Sequence, residues 1–274
     1  MSCPDCFRGH DHPGPVNGFE TELHAHKVYV TEPPERERSE AKGLIVILTD
    51  AFGWNTVNIR RVADSYARRT GCRVYIPDFM YGTAAPPSMK SVMDRLVSER
   101  GIWGWLAKPF LLARLLYSFV PFILRNKPPK RLPAIKQFLA DLRATQPAHL
   151  RIGVAGFCWG GYGATHLAHG GGLVDAAYTA HPSELKVPAD IEGIAVPYSM
   201  VIGDADFALD IERVREAEEV LRRKKGVESE VVVLPGAAHG FAVRGRPDDE
   251  REKEQADQAE DQAVRWFGKH LVAS

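Results

Sequence analysis

The strongest constraint on this chain is a cysteine between glycines, Cys158, in the segment Gly156-Phe157-Cys158-Trp159-Gly160. The segment directly follows an apolar run at residues 150–155, which predicts a β-strand ending in a sharp turn. The central residue of such a turn adopts strained backbone angles that push its side chain out at the end of the strand. The flanking glycines indicate that a Cβ there would collide with a neighbouring strand or helix. We interpret Cys158 as a presented thiol; the alternative is a glycine-rich turn around a buried, inert cysteine.

The length and net charge of the chain limit the size of its fold and the kinds of partner it can bind. Its 274 residues suffice for one large α/β domain with a sizeable core. Because 35 basic and 35 acidic side chains cancel, we expect neither a nucleic-acid nor a membrane partner. The four cysteines are not spaced as a disulfide scaffold, and the polar first residues lack the apolar core of a secretory signal. We therefore expect a cytoplasmic protein.

Apolar runs rich in β-branched residues alternate with amphipathic segments along most of the chain. The runs predict strands at residues 28–31, 43–49, 73–77, 150–155, 176–180, 195–202 and 229–234. The amphipathic segments predict helices at residues 56–70, 131–144, 160–169, 209–225 and 248–271. This alternation indicates an α/β fold with a mainly parallel sheet covered by helices on both faces, in a single domain spanning residues 1–274.

An apolar, aromatic segment at residues 102–124 interrupts the alternation, within a predicted lid-like helical insertion at residues 86–130. A membrane-spanning helix needs about 20 mostly apolar residues. Two basic residues and two prolines interrupt this segment: Lys108, Arg114, Pro109 and Pro121. We therefore expect two short helices over the sheet, ended by Pro128-Pro129. The insertion is either a lid that lines a substrate pocket, or ordinary core or a dimer face.

The Cys158 turn resembles the nucleophile elbow of the α/β-hydrolases, in which an acid and then a histidine follow the nucleophile, each after a strand. A thiol needs an imidazole to take its proton, and the imidazole needs a carboxylate to orient it. His239 follows the last predicted strand. Asp204 and Asp206 follow the strand before it, and either could orient the ring.

An oxyanion hole is expected beside the thiol. The backbone N–H of Trp159 is one donor by construction of the elbow. We predict the Phe52 N–H, in the loop after residues 43–49, as the second. Asp50, at the end of that strand, either points into the site and accepts the thiol proton or is a turn residue.

Three segments resemble the dienelactone hydrolase family: GFCWGG at residues 156–161, GDAD at residues 203–206 and PGAAHGF at residues 235–241. The resemblance implies an α/β-hydrolase fold and a carboxymethylenebutenolidase-like ester or lactone hydrolase that uses no cofactor. It further implies a catalytic triad of Cys158, Asp206 and His239 that forms an acyl-enzyme. The opening of the chain, with Cys3 and Cys6, resembles that of fungal members.

The chain differs from bacterial members of this family at three positions. They have glutamate where Asp50 stands, and arginines at Gly82 and Val243 that hold the substrate carboxylate; here Arg244 comes one position later. The aromatic insertion instead favours a larger, more apolar ester or lactone. The candidate substrate-contacting residues are Asp50, Phe79, Tyr81, Trp103, Phe207 and Phe241.

The sequence leaves two other interpretations open. The protein could be a non-catalytic or thiol-sensing binder of a ligand or partner that uses the same fold. Cys3 and Cys6 with His10 and His12 could bind zinc, but their spacing is too short for common zinc modules, so no metal is predicted. The only expected partner is a small-molecule substrate, and the chain is expected to be a monomer or a homodimer.

Overall fold

The structure, a computed structural model, describes residues 14–34, 41–86, 88–89, 92, 101–246 and 248–272, without the side chains of residues 101–106, 115 and 118. Its centre is an eight-stranded sheet. The strands are β1 (Phe19–Leu23), β2 (His26–Thr31), β3 (Leu44–Leu48), β4 (Arg73–Pro77), β5 (Ile152–Phe157), β6 (Ala176–Ala180), β7 (Tyr198–Gly203) and β8 (Ser229–Leu234).

The spatial order of the strands is β1-β2-β4-β3-β5-β6-β7-β8. Strands β1 and β2 are antiparallel to their neighbours, and all other pairs are parallel. The carboxyl ends of the parallel strands therefore meet at one edge of the sheet. Five polar side chains follow β3, β5, β6, β7 and β8 at that edge: Asp50, Cys158, His181, Asp206 and His239.

The described helices are α1 (Val57–Thr70), α2 (Gly101–Arg125), α3 (Pro128–Thr145), α4 (Trp159–Leu167), α5 (Ala189–Glu192), α6 (Ile211–Arg223), α7 (Phe241–Arg244) and α8 (Glu250–Leu271). They cover both faces of the sheet. Leu44, Val46 and Leu48 of β3 belong to the cluster that includes α3, α4 and α6. Ile45 and Ile47 belong to the cluster that includes α1 and α8. Burial on both faces explains why β3 is apolar at every position.

The predicted mainly parallel α/β sheet with helices on both faces is confirmed. Strand β1 was not predicted, because its sequence FETEL lies at the sheet edge with four of five residues exposed, and so lacks an apolar pattern.

The prediction of two short helices at residues 102–124 is wrong, since α2 is one helix with Pro109 and Pro121 inside it. A proline has a helical φ, so it removes one hydrogen bond and kinks a helix without having to end it. Pro128 and Pro129, predicted to end the insertion, are the first two residues of α3, where a missing N–H costs nothing.

Part of α2 is also long and apolar enough to cross a membrane. Among the described residues searched, Ala107–Arg125 is the single such stretch, with a mean hydropathy of 1.4. Length and composition alone are weak evidence of a span, because core helices meet the same criterion. This stretch is only 19% buried, however, so it is not an ordinary core helix.

Candidate active site

Cys158 lies between β5 and α4 in a strained backbone conformation, with φ 49° and ψ −109°. A Cβ on Gly160 would lie 2.1 Å from the Leu48 carbonyl oxygen, and one on Gly156 would lie 2.5 Å from the Gly160 carbonyl oxygen. Only glycine allows so close an approach of the elbow to β3. The Cys158 side chain is buried, with its Sγ 3.9 Å from Oγ of Ser183.

His239 is held by Asp206. Both carboxylate oxygens of Asp206 accept from Nδ1 of His239 at 2.9 Å, and both side chains are completely buried. This contact fixes the ring so that Nε2 is the nitrogen left for chemistry. Nε2 has no partner of standard hydrogen-bond geometry among the described residues. The Cys158 sulfur nevertheless lies close enough for its charge to raise the pKa of the His239 ring.

Three influences set the pKa of His239. Burial of the ring lowers the pKa, but the charge of Cys158 and the hydrogen bond and charge of Asp206 outweigh burial and raise it to about 9. The imidazole therefore keeps its proton at neutral pH. Such a ring can neutralise a sulfur anion and can return a proton to a leaving group.

Asp204 and Asp206, either of which could orient His239 on sequence grounds, lie in different surroundings. Asp206 is buried against His239, whereas Asp204 is exposed and accepts from the Gly236 N–H at 2.5 Å. Asp210 caps α6 by accepting from the Arg213 N–H. Only Asp206 can orient the imidazole in this arrangement.

Asp50 forms a buried ion pair with Arg244, at 3.0 Å between Oδ2 and Nε, and each side chain is 3% exposed. The sequence did not reveal this pair. The Asp50 Oδ1 also accepts from the Phe52 N–H at 2.9 Å. The structure therefore differs from the expectation for Phe52, because its N–H is directed at a carboxylate rather than into the site. The neighbouring Ala51 N–H makes no such bond among the described residues.

His181 and Ser183, which follow β6, are site neighbours that sequence reasoning missed. The His181 ring is fully buried, 5.1 Å from the His239 ring, and neither of its nitrogens has a partner among the described residues. Burial, with the nearby positive charge of His239, holds the pKa of His181 well below its usual value. The available signal was position, since His181 follows a parallel strand just as Cys158 and His239 do.

The predicted substrate-contacting residues are spread unequally around this site. The Phe207 ring lies 4.8 Å from the His239 ring, and Phe241 packs edge-on against His181 at 5.5 Å. Phe79 is buried against His26 and Phe138. Tyr81 is half exposed, beneath the Arg131 guanidinium. The Trp103 side chain lies outside the described residues.

The insertion and the elbow are directly connected. Indole Nε1 of Trp159 donates to the carbonyl of Asn126 at 2.6 Å, just after the end of α2. The buried Asn126 side chain is in turn held by Thr83 and Arg131. Trp159 thus joins α4, the helix that follows Cys158, to the chain just after the end of α2.

No cluster of three metal-ligating side chains occurs in the described part of the chain. Cys3, Cys6, His10 and His12 lie outside that part.

The sheet order, the strained elbow and the residues at the strand ends define an α/β-hydrolase. A sequence profile of the dienelactone hydrolase family matches residues 122–271, more than half of the chain. Hydrolase tropI of Talaromyces stipitatus is 27% identical over 272 residues, covering 99% of this chain and 96% of that protein. The carboxymethylenebutenolidase homolog of Homo sapiens is 24% identical over 272 residues, covering 98% and 97%.

A solved structure shares the fold. The putative dienelactone hydrolase from Klebsiella pneumoniae superposes with a TM-score of 0.65 at 19% identity, covering 94% of this chain and all of that one. The chain belongs to the dienelactone hydrolase family. It is accordingly a hydrolase that acts on esters or lactones.

Proposed function

We propose that the protein hydrolyses a carboxylic ester or lactone through an acyl-enzyme on Cys158, with His239 as acid and base and Asp206 as its orienting carboxylate. The observation that carries the proposal is the buried thiol on a strained strand end, at the same sheet edge as an imidazole clamped by Asp206. Strain of this kind is stored where chemistry needs a fixed geometry.

The reaction balances with these groups alone. With the proton already on Nε2 of His239, the Cys158 thiolate attacks the carbonyl carbon, and the carbonyl electron pair moves onto oxygen. When that oxyanion collapses, the C–O bond breaks and the alcohol oxygen takes the proton from Nε2. Water then gives a proton to Nε2 and attacks the thioester, and the sulfur leaves as a thiolate while Nε2 keeps that proton.

The oxyanion needs two donors. Trp159 is the first residue of α4, so its backbone N–H has no partner within the helix. We propose the Ala51 N–H as the second donor in place of Phe52, because Asp50 already engages the Phe52 N–H. Loss of one such donor costs roughly 10²-fold or more in rate.

The substrate is proposed to be larger and more apolar than a carboxymethylene butenolide. The Arg244 guanidinium is already bound by Asp50, and the sequence has no arginine at Gly82. The Phe207 ring beside His239 offers an apolar contact. In p-nitrophenyl esters of graded length, kcat/KM should rise by up to about fourfold per buried CH₂. A preference for acetate or for a carboxylated lactone would contradict this.

The matched variants Cys158→Ala and Cys72→Ala test the mechanism, because both cysteines are buried and neither forms a disulfide. Cys158→Ala should lower kcat for p-nitrophenyl acetate by roughly 10⁴-fold or more and abolish the acyl adduct in intact-mass spectra. Cys72→Ala should retain both activity and adduct. Equal unfolding temperatures for Cys158→Ala and wild type exclude misfolding. Full turnover by Cys158→Ala would refute the proposal.

A thiol nucleophile also needs a reducing surrounding, because a thiolate oxidises stepwise to irreversible acids. We propose that the protein works in the cytoplasm for this reason. Dimedone trapping of a sulfenic acid at Cys158, with no acyl adduct from any ester tested, would instead favour a thiol-sensing role.

A further inference from the structure

Helix α2 presents a continuous apolar surface to solvent. Seven large side chains spaced along it are exposed: Phe110, Leu112, Leu116, Tyr117, Val120, Ile123 and Leu124. We call these residues the outer α2 face. Tyr117 is 84% and Phe110 is 70% exposed, whereas single exposed apolar residues are the norm on a protein surface. A patch of this kind marks an interaction site.

The opposite side of α2 is bound to the protein. Leu111 and Phe122 are buried in the main core cluster, and Phe119 stacks on Phe122. The bond from the Trp159 indole to the Asn126 carbonyl fixes the end of the segment. The helix therefore lies along the protein surface and does not leave it to span a bilayer, and its outer face ends next to the elbow.

The sequence of α2 and of most of α3 carries charge of one sign. Residues 101–140 contain seven basic residues and no acidic residue; the basic ones are Lys108, Arg114, Arg125, Lys127, Lys130, Arg131 and Lys136. Arg114, Arg125, Lys127 and Lys130 are exposed, and none of them forms an ion pair with another described residue. The neutral net charge of the chain thus conceals a local positive field.

We propose that the outer α2 face and its exposed basic residues bind the surface of an anionic lipid bilayer. An apolar helix face flanked by lysine and arginine lies in the interface plane, its apolar side chains among the acyl chains and its cations among the headgroups. The proposal departs from the expectation of no membrane partner, which rested on net charge alone.

Two other partners for this face, a second copy of the chain and a nucleic acid, fit its charge and its apolar side chains less well. In a two-fold dimer the same patch meets itself, so the exposed cations of two copies would face each other, and residues 101–140 supply no acidic residue to neutralise them. A nucleic acid would pair with the cations but would leave the seven apolar side chains in water. An anionic bilayer satisfies both features at once.

Vesicle binding of the full chain tests the proposal without any substrate. The protein should co-sediment with vesicles of phosphatidylcholine mixed with phosphatidylserine, less at high salt, and weakly with phosphatidylcholine alone. The triple variant Arg125→Gln, Lys127→Gln, Lys130→Gln should bind about 100-fold more weakly, at about fivefold for each charge removed. All three residues are exposed, so the substitutions should preserve the fold.

A control with the same loss of charge is available on α6 and just beyond it: Arg215→Gln, Arg222→Gln and Lys225→Gln, all at exposed positions. This variant should bind vesicles like wild type. Equal binding of wild type to neutral and anionic vesicles, no binding to either, or equal losses in the two triple variants would overturn the proposal. So would a dimer in light scattering that Leu116→Glu converts to monomer. Ester hydrolysis is not measured, so the result is independent of the proposed mechanism.

Discussion

Replacing Asp206 with asparagine tests the role assigned to the buried pair, because the shape is kept while the charge is lost. The His239 pKa of about 9, against 6.5 for a free imidazole, corresponds to about 3 kcal/mol in favour of the protonated ring. Burial opposes protonation, so Cys158 and Asp206 together contribute more than this net value. In Asp206→Asn we expect the pKa of His239 to fall below 9, since only Cys158 then opposes the effect of burial, measured by NMR titration of the ring.

The same change should lower kcat by roughly 10⁴-fold, the size of loss that an asparagine causes in a comparable triad. Asp204→Asn is the matched control in the same loop, since Asp204 is exposed and accepts only from the Gly236 N–H among the described residues. The control should retain the wild-type kcat and the wild-type His239 pKa. Equal losses in the two variants, or an unchanged His239 pKa in Asp206→Asn, would refute the reasoning.

The free energy of unfolding should depend on pH through the same raised pKa of His239. A histidine whose pKa is raised on folding stabilises the folded state fully below its unfolded pKa, and this contribution is lost as pH rises through the folded value. Here the window runs from about pH 6.5 to about pH 9. The free energy of unfolding of wild type should exceed that of Asp206→Asn by up to about 3 kcal/mol at the lower end. The difference should shrink toward pH 10, as measured by urea denaturation.

Two further predictions use matched pairs within the chain. Gly160→Ala should destabilise the fold by about 3 kcal/mol, because its Cβ would lie 2.1 Å from the Leu48 carbonyl oxygen. Gly268→Ala, in an open helical position, should stabilise it by about 0.5–1 kcal/mol in thermal unfolding. Iodoacetamide at neutral pH should label Cys158 faster than Cys72, since burial raises the pKa of Cys72 to about 11 and Cys158 has an imidazole beside it. Equal labelling rates in peptide mapping would count against an activated thiol.

The central strands could be predicted because strands buried on both faces are apolar at nearly every position. Strands β5 and β7 were visible in this way, whereas β8 lies at the opposite edge of the sheet from β1, is only partly buried, and was visible from its run of valines. The turn after each of the three strands contains Cys158, Asp206 or His239. The same rule explains the failure at β1, which lies at the sheet edge with its side chains in solvent. The error at α2 has another cause: its prolines suggested breaks, but the φ of a proline is compatible with a helix that continues through it.

The partners of the site residues could not be predicted, because packing and not local pattern decides them. Asp50 and Arg244 are 194 positions apart and meet only once the sheet has formed. The choice between Asp204 and Asp206 followed from family resemblance, and the structure distinguishes them by burial. His181 carried the same strand-end signal as His239 but stood before the acid, so chain order excluded it.

Trp159 connects the proposed active site to the helix that carries the proposed membrane-binding face. Its backbone N–H begins α4 beside Cys158, while its indole donates to the Asn126 carbonyl at the end of α2. A bilayer bound at the outer α2 face would restrain α2, and through Asn126 it would restrain the first turn of α4. Oxyanion stabilisation depends on donors that are already in place when charge develops. Restraint of α2 should therefore act on the chemical step.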